Sequence, residues 1–299
     1  MIWKNTRGAT SLLTILIIRI GSSCSSARYA MNTDYPQIPT NYVPDGSVES
    51  IFCPSSTGGP SQRRTLVYLP PSYNLDSTRR YPVFYLLHGA RGNEVAWITK
   101  GDLLKHIDSL VREQKMIETI VVLPNMNQYN DDEDYGKSRY KNAMESFFEI
   151  DGSVESGFMN NIVGTVDRQF RTIAEKSSRA IAGMSLGAMQ AIHISASNPD
   201  SFDYVGLFSP LVHPFYSGGE NSAFFKNLKE KQKAQFANPP KLYWVMVGRT
   251  DILHQRMNLY DKRLSDNGYP HEYYVSEGGH EWYNWTDYCD RFMKRLWKE

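Results

Sequence analysis

The sequence has little net charge, few cysteines and no long apolar run, and each shortage narrows what the protein can be. Its 33 Lys and Arg balance 32 Asp and Glu, and a net charge of +1 gives no indication of a nucleic-acid partner. Three cysteines are too few for a disulfide framework. The one extended apolar run lies near the N-terminus and is too short to span a bilayer well. What remains is a globular chain long enough for one large core.

Residues 1–27 have the layout of an export signal. Lys4 and Arg7 precede the apolar run, and small residues follow it up to Ala27. We therefore expect a periplasmic, secreted or outer-membrane protein. Its signal would be cleaved after Ala27, or Cys24 would carry a lipid anchor. A buried or frayed N-terminal segment is the alternative.

The rest of the chain predicts one domain. Residues 28–45 are polar and proline-bearing and indicate a lead-in linker, and the domain follows at residues 46–299. Once Cys24 is removed or lipidated, Cys53 and Cys289 would be free to form a disulfide between the two ends of the domain. Two unpaired buried thiols are the interpretation we favour.

Buried apolar runs alternate with amphipathic segments along this domain. The predicted strands lie in QRRTLVYL, YPVFYLLHG, ETIVVLPN, SRAIAGMS, DYVGLFSP, KLYWVMVG and HEYYVSE. The predicted helices lie in DLLKHIDSLVREQ, GFMNNIVGTVDRQF, LGAMQAIHISASN and WTDYCDRFMKRLWK. This alternation predicts an α/β fold with a mostly parallel central sheet and helices on both faces. In such sheets, reactive side chains collect at the carboxyl ends of the strands.

The stretch GMSLG at residues 183–187 follows one of these strands and opens a helix. This G-x-S-x-G pattern is typical of a nucleophile elbow, which presents a serine hydroxyl at the top of an α/β-hydrolase sheet. Because that hydroxyl needs a base, an acid and then a histidine should follow at later strand ends. Asp251 and His280 stand at those positions. We predict a triad in which Ser185 is the nucleophile, His280 the base and Asp251 the residue that orients the histidine.

An ester intermediate also needs an oxyanion hole. We expect its donors to be the backbone N–H of Leu186 and that of Ala90, with Arg91 as the near alternative to Ala90. His88 is interpreted as a core histidine that supports this loop. The competing acids and histidines are placed less well for a triad: Asp200, Asp203, Glu277, Glu281, His254 and His271.

Six blocks of the chain resemble a known family. They are VYLPPSY, YPVFYLLHGARGNEVAW, RAIAGMSLGAMQAI, DYVGLFSP, VGRTD and EGGHEWYNW. Together they resemble the esterase D-like esterases, and within them the bacterial feruloyl and acetyl xylan esterases of carbohydrate esterase family one. The resemblance implies an α/β-hydrolase fold with no metal and no cofactor. It places the same roles on Ser185, Asp251, His280, Ala90 and Leu186.

Together with the signal-like N-terminus, the resemblance implies an exported serine esterase that removes feruloyl or acetyl groups from polysaccharide or oligosaccharide. The alternatives are an esterase of a siderophore or other small ester, an acyltransferase, and a non-catalytic glycan-binding lipoprotein. A cytosolic S-formylglutathione hydrolase agrees poorly with the signal-like N-terminus. Trp97, Trp282 and Trp285 flank the predicted site. Core packing is the interpretation we favour for them, and substrate binding by stacking on a sugar or aryl group is the alternative. The oligomeric state is left open.

The polar segment at residues 127–152 is longer than a strand-to-helix connection needs. We expect it to lie over the active site and to influence which acyl group is accepted. Its DDED stretch at residues 131–134 lacks the spacing of a known calcium loop, so we interpret it as a solvated acidic turn.

Overall fold

The computed structural model describes residues 40–55, 62–127, 150–212 and 224–298. The predicted signal at residues 1–27 with Cys24, most of the linker, and residues 128–149 of the polar segment lie outside the described residues. The strands are β1 (Ser47–Pro54), β2 (Gln62–Leu69), β3 (Val83–Leu87), β4 (Ile120–Pro124), β5 (Arg179–Met184), β6 (Tyr204–Phe208), β7 (Leu242–Gly248) and β8 (Glu272–Ser276). The helices are α1 (Ala96–Lys100), α2 (Leu103–Arg112), α3 (Ser153–Ser156), α4 (Gly164–Gln169), α5 (Leu186–Ser197), α6 (Leu228–Gln235), α7 (His254–Asp266) and α8 (Trp282–Met293).

These eight strands form one sheet in the order β1-β2-β4-β3-β5-β6-β7-β8. The β1–β2 and β2–β4 pairs are antiparallel, and every other neighbouring pair is parallel. The carboxyl ends of β3 to β8 therefore meet at one edge. The mostly parallel α/β sheet predicted from the alternation of elements is confirmed.

Both faces of strands β3 to β7 are buried, which explains why these strands are mostly apolar runs. In β3, Val83, Tyr85 and Leu87 point into one hydrophobic layer, whereas Phe84 and Leu86 point into the other. Side chains from α3, α4, α5 and α7 cover the first layer, and those from α1, α2 and α8 cover the second. Each fully buried Val, Leu or Phe in these layers contributes about 1.5–3 kcal/mol.

The two domain cysteines lie on opposite sides of this sheet. Cys53 packs in the first layer and Cys289 in the second, and both are buried free thiols. Burial raises the pKa of each thiol. The favoured interpretation of two unpaired thiols is confirmed, and the alternative of a Cys53–Cys289 disulfide is wrong because the sheet separates them.

Some elements differ from the sequence-based expectation. The segment predicted as one helix at residues 157–170 is a π-helical turn, Phe158–Val163, followed by α4. The closing helix begins at Trp282, three residues earlier than its apolar spacing indicated. Helices α6 and α7 were not predicted because few of their residues are apolar. Within the described ranges, no helix is both long and apolar enough to cross a membrane.

Candidate active site

Ser185 occupies a sharp turn between β5 and α5. Its backbone has φ 53° and ψ −113°, a conformation that costs a residue with a side chain on the order of 1–3 kcal/mol. Three hydrogen bonds hold it there. The Ser185 N–H donates to the Phe208 carbonyl at 2.8 Å, and the Ser185 carbonyl accepts from Met189 and Leu211, each at 3.2 Å. The turn leaves the hydroxyl at the carboxyl edge of the sheet.

The two glycines of the elbow are required by close backbone contacts. A Cβ on Gly183 would lie 2.5 Å from the carbonyl carbon of Gly187. A Cβ on Gly187 would lie 2.3 Å from the carbonyl oxygen of His88, which follows β3. Helix α5 therefore begins in direct backbone contact with the loop that leaves β3.

His280 reaches Ser185 from the turn after β8. Its Nε2 lies 2.9 Å from Ser185 Oγ, and its Nδ1 lies 3.0 Å and 3.1 Å from the two carboxylate oxygens of Asp251. With Nδ1–H donating to Asp251, Nε2 presents its lone pair to the serine proton. The three residues of the predicted triad are thus joined by hydrogen bonds in the order that proton transfer from Ser185 requires.

Asp251 lies three residues past the end of β7 and is buried, with 5% of its surface exposed. One of its oxygens also accepts the N–H of Leu253 at 2.8 Å. Burial raises the pKa of Asp251, but the hydrogen bonds from His280 and Leu253 outweigh it, so the net shift is downward. The carboxylate stays ionised and can stabilise a positive charge on His280.

The turns that carry these two residues are tied to one another. A Cβ on Gly248 would lie 2.3 Å from the Gly278 carbonyl oxygen, and the Thr250 N–H donates to that same oxygen at 3.0 Å. The buried Asn284 of α8 donates to the Gly279 carbonyl at 2.8 Å. These contacts set the distance between Asp251 and His280. The role of Asn284 could not be predicted from the sequence, because its hydrogen bond to Gly279 depends on where α8 packs.

The expected oxyanion donors lie next to the elbow on both sides. Leu186 is the first residue of α5, and Ala90 packs against the small apolar cluster that contains Leu186. Within the described ranges, neither N–H donates to a protein acceptor. Two such backbone N–H groups beside a serine nucleophile are suited to bind a developing oxyanion.

The three tryptophans pack with the protein. Trp97 is 2% exposed, and its Nε1 donates to the Leu87 carbonyl at 3.0 Å. Its ring therefore has no exposed face that could stack on a substrate. Trp285 is 8% exposed and packs edge-to-face on His280, with ring centroids 4.9 Å apart. Half-buried Trp282 makes edge-to-face contacts with Trp97 and Trp285. The favoured interpretation of core packing describes Trp97 and Trp285.

Three of the competing acids and histidines, His271, Glu277 and Glu281, have partners of their own. His271 pairs with Asp261 at 2.9 Å, and the exposed Glu277 pairs with Arg249. Glu281 accepts the Gly279 N–H at the start of α8. In the part of the chain that the structure describes, no group of three or more His, Cys, Asp or Glu residues is arranged to hold a metal ion.

Comparison with known proteins agrees with this geometry. The family described as "Putative esterase" matches residues 56–291. The chain is similar to the endo-1,4-beta-xylanase/feruloyl esterase of Xylanibacter ruminicola, with 29% identity over 259 residues, which is 85% of this chain and 32% of that protein. It is also similar to endo-1,4-beta-xylanase Y of Acetivibrio thermocellus, with 25% identity over 206 residues, 65% of this chain and 17% of that protein. The chain therefore spans about a third or less of the curated relatives it matches.

A solved structure shares the fold. The ferulic acid esterase of the anaerobic fungus Anaeromyces mucronatus superposes with a TM-score of 0.68 at 20% identity, over 88% of this chain and 94% of that one. At this identity the likeness shows the fold, an α/β-hydrolase, which confirms the predicted architecture.

We predict that Gly187→Ala destabilises the protein and lowers its esterase activity. The added Cβ would overlap the His88 carbonyl oxygen, and overpacking of this kind costs about 1–3 kcal/mol in the free energy of unfolding. Gly279→Ala is the matched control, since the nearest atom to its Cβ is 3.6 Å away, and we expect a change within about 0.5 kcal/mol. Urea denaturation measures both, and equal losses would contradict the close approach at Gly187.

We predict that Asp251→Asn lowers kcat by roughly 10³–10⁴-fold, because the amide would donate to His280 and favour the wrong imidazole tautomer. Asp261→Asn is the control, since it makes the same carboxylate-to-amide change in the pair that Asp261 forms with His271, which is separate from the Ser185–His280–Asp251 set. Steady-state rates on a nitrophenyl ester compare the two. A similar loss in both variants would mean that the Asp251–His280 pair serves stability alone.

Proposed function

The chain belongs to the putative esterase family, and from this premise we propose that it is a serine esterase that removes feruloyl or acetyl groups from polysaccharide. The observation that carries the proposal is the 2.9 Å contact between His280 Nε2 and Ser185 Oγ at a strained elbow. A serine that only packs or caps a helix would need neither the strain nor a histidine held by a buried carboxylate.

In the proposed reaction, Ser185 Oγ attacks the ester carbonyl carbon while its proton passes to His280 Nε2. The carbonyl oxygen becomes an oxyanion that accepts hydrogen bonds from the N–H groups of Leu186 and Ala90. The bond to the alcohol then breaks, and the departing oxygen takes the proton from His280. Asp251 stabilises the imidazolium formed in between. An acyl group is left on Ser185.

Water completes the cycle by the same route. His280 removes a proton from water, the resulting hydroxide attacks the acyl carbon, and the acid leaves as Ser185 regains its proton. Every proton removed in one step is returned in a later one, so no cofactor is consumed. The chemistry requires only that the acyl group and the alcohol fit around Ser185.

We propose the acyl group and the alcohol from the activities for which the relatives are named. The relative from Xylanibacter ruminicola is named for both xylanase and feruloyl esterase activity, and the fungal structural neighbour is named a ferulic acid esterase. We therefore propose a feruloyl ester of a plant-type polysaccharide as the first substrate to test and an acetyl ester as the second.

We predict that the full chain hydrolyses methyl ferulate and nitrophenyl acetate and releases acid from feruloylated or acetylated xylan. Ser185→Ala should lose nearly all of the rate, on the order of 10⁶-fold in kcat, because the nucleophile is gone. Ser195→Ala is the control, since Ser195 is a buried serine ten residues further along α5 whose hydroxyl donates to the Ile192 carbonyl at 3.2 Å. The ratio of ferulate to acetate release identifies the acyl group. A folded protein inert on all of these esters would contradict the proposed function.

We also propose that the protein is exported, on the strength of the layout of residues 1–27. The full chain expressed in a bacterium should lose its N-terminal segment. Intact mass and N-terminal sequencing should then give either a start at Arg28 or a lipid-modified start at Cys24. A protein that keeps Met1 and stays in the cytoplasm would contradict export.

A further inference from the structure

The loop that follows β3 carries Ala90, one of the two proposed oxyanion donors. It runs from His88 to Glu94 without regular structure, apart from a tight turn in which the Gly92 N–H donates to the Gly89 carbonyl at 3.1 Å. Arg91 within this turn has φ 59°, a left-handed conformation. Such a loop holds an N–H in a set direction only if other groups fix its peptides.

His88 supplies one of these contacts from within the loop. It is 3% exposed; its Nδ1 lies 2.8 Å from the Gly89 carbonyl oxygen, and its Nε2 lies 3.0 Å from the Met126 backbone nitrogen. A backbone N–H can only donate, so Nε2 must be the unprotonated acceptor. The proton is therefore on Nδ1, which donates to the Gly89 carbonyl. Burial lowers the pKa of His88, which favours this neutral form.

The bond to Gly89 determines where the Ala90 N–H points. The described chain has no cis peptide, and in a trans peptide the C=O of one residue and the N–H of the next point in opposite directions. The Gly89 carbonyl is turned toward His88 Nδ1 and the Gly92 N–H. The Ala90 N–H must therefore point away from both donors, and Ala90 itself packs against the cluster that contains Leu186.

Residues 125–127, directly after β4, hold the loop from the other side. Asn125 Nδ2 donates to a carboxylate oxygen of Glu94 at 2.8 Å, and Asn127 Nδ2 donates to the Gly92 carbonyl at 2.9 Å. Met126, between these two asparagines, donates its N–H to His88 Nε2 at 3.0 Å. Glu94 is 1% exposed, and its other oxygen accepts from Arg64 Nε at 2.6 Å. Residues 125–127 thus form hydrogen bonds with three residues of the loop: Glu94, His88 and Gly92.

We propose that His88 is a positioning residue of the oxyanion hole, which orients the Gly89–Ala90 peptide through its Nδ1–H while residues 125–127 hold the rest of the loop in place. The proposal rests on the proposed esterase function. His88 touches neither the substrate nor Ser185 in this role. His88 would affect catalysis only by orienting the Gly89–Ala90 peptide.

A matched pair of substitutions separates the two hydrogen bonds of His88. In His88→Asn the side-chain N–H stands where Nδ1 stands and can still donate to Gly89, but the acceptor for Met126 is lost. In His88→Gln the side-chain oxygen can stand where Nε2 stands and accept from Met126, but the donor to Gly89 is lost. Each variant removes one of the two bonds, so both should lose stability to a similar extent in urea denaturation.

The two variants should differ in catalysis. We expect His88→Gln to lower kcat on a nitrophenyl ester by about 10²-fold with KM little changed, because an oxyanion donor acts mainly in the transition state. Inhibition by a trifluoromethyl ketone, which forms a tetrahedral oxyanion on the serine, should weaken by a similar factor. His88→Asn should rescue kcat to within about threefold. Equal losses of kcat in both variants, or no loss in either, would overturn the proposal.

A second measurement does not depend on ester turnover. Nitrogen-15 NMR of the imidazoles in the full chain should show His88 as the neutral Nδ1–H form at pH 7.5. Observation of the Nε2–H form, or of a charged ring at this pH, would contradict the proposal. Suppose that the NMR shows the Nδ1–H form but the folded parent is inert on every ester. The esterase function has then failed, and the orientation of the Gly89–Ala90 peptide still stands. If the parent is active and only the variant pair disagrees, the positioning role alone has failed.

Discussion

The site depends on the backbone of Ser185, which is held in a conformation that a residue with a side chain rarely adopts. The elbow persists because β6 and α5 supply hydrogen bonds to both its N–H and its carbonyl, and because Gly183 and Gly187 allow helix and sheet to touch. This single constraint decides where the hydroxyl stands. It also brings the first N–H of α5 beside the loop after β3, so that the proposed nucleophile and the proposed oxyanion donors are positioned by the same contact.

The order of the strands brings Asp251 and His280 to that hydroxyl. Strand β6 lies between β5 and β7, and β8 pairs with β7, so the turns that carry Asp251 and His280 start from neighbouring strand ends. The backbone contact between Gly248 and Gly278 keeps those turns together, and Asn284 fixes the second turn to α8. The Trp285 ring packs against the imidazole and limits its rotation. The arrangement of hydrogen bonds at Ser185 is thus a consequence of parallel pairing followed by tight turns.

Much of this could be predicted from the sequence because the informative patterns are local. The elbow is five consecutive residues, strands β3 to β7 are mostly apolar runs, and Asp251 and His280 lie three and four residues past the ends of β7 and β8. Other features depend on contacts between distant segments. The hydrogen bonds from residues 125–127 to the loop at residues 88–94 form because β4 lies next to β3 in the sheet. The order of the strands cannot be predicted from the periodicity of the sequence. Trp97 and Trp285 lie near the site in sequence, but their burial follows from how α1 and α8 pack on the sheet.

The central claim is that Ser185 is the one activated serine of this protein. Its most direct test is to treat the folded full chain with a fluorophosphonate, which reacts with activated serines, and to locate the adduct by intact mass and peptide mapping. The account predicts a single adduct on Ser185 and none after denaturation, when His280 no longer lies beside the hydroxyl. An adduct on another serine, or a folded protein that does not react, would contradict it.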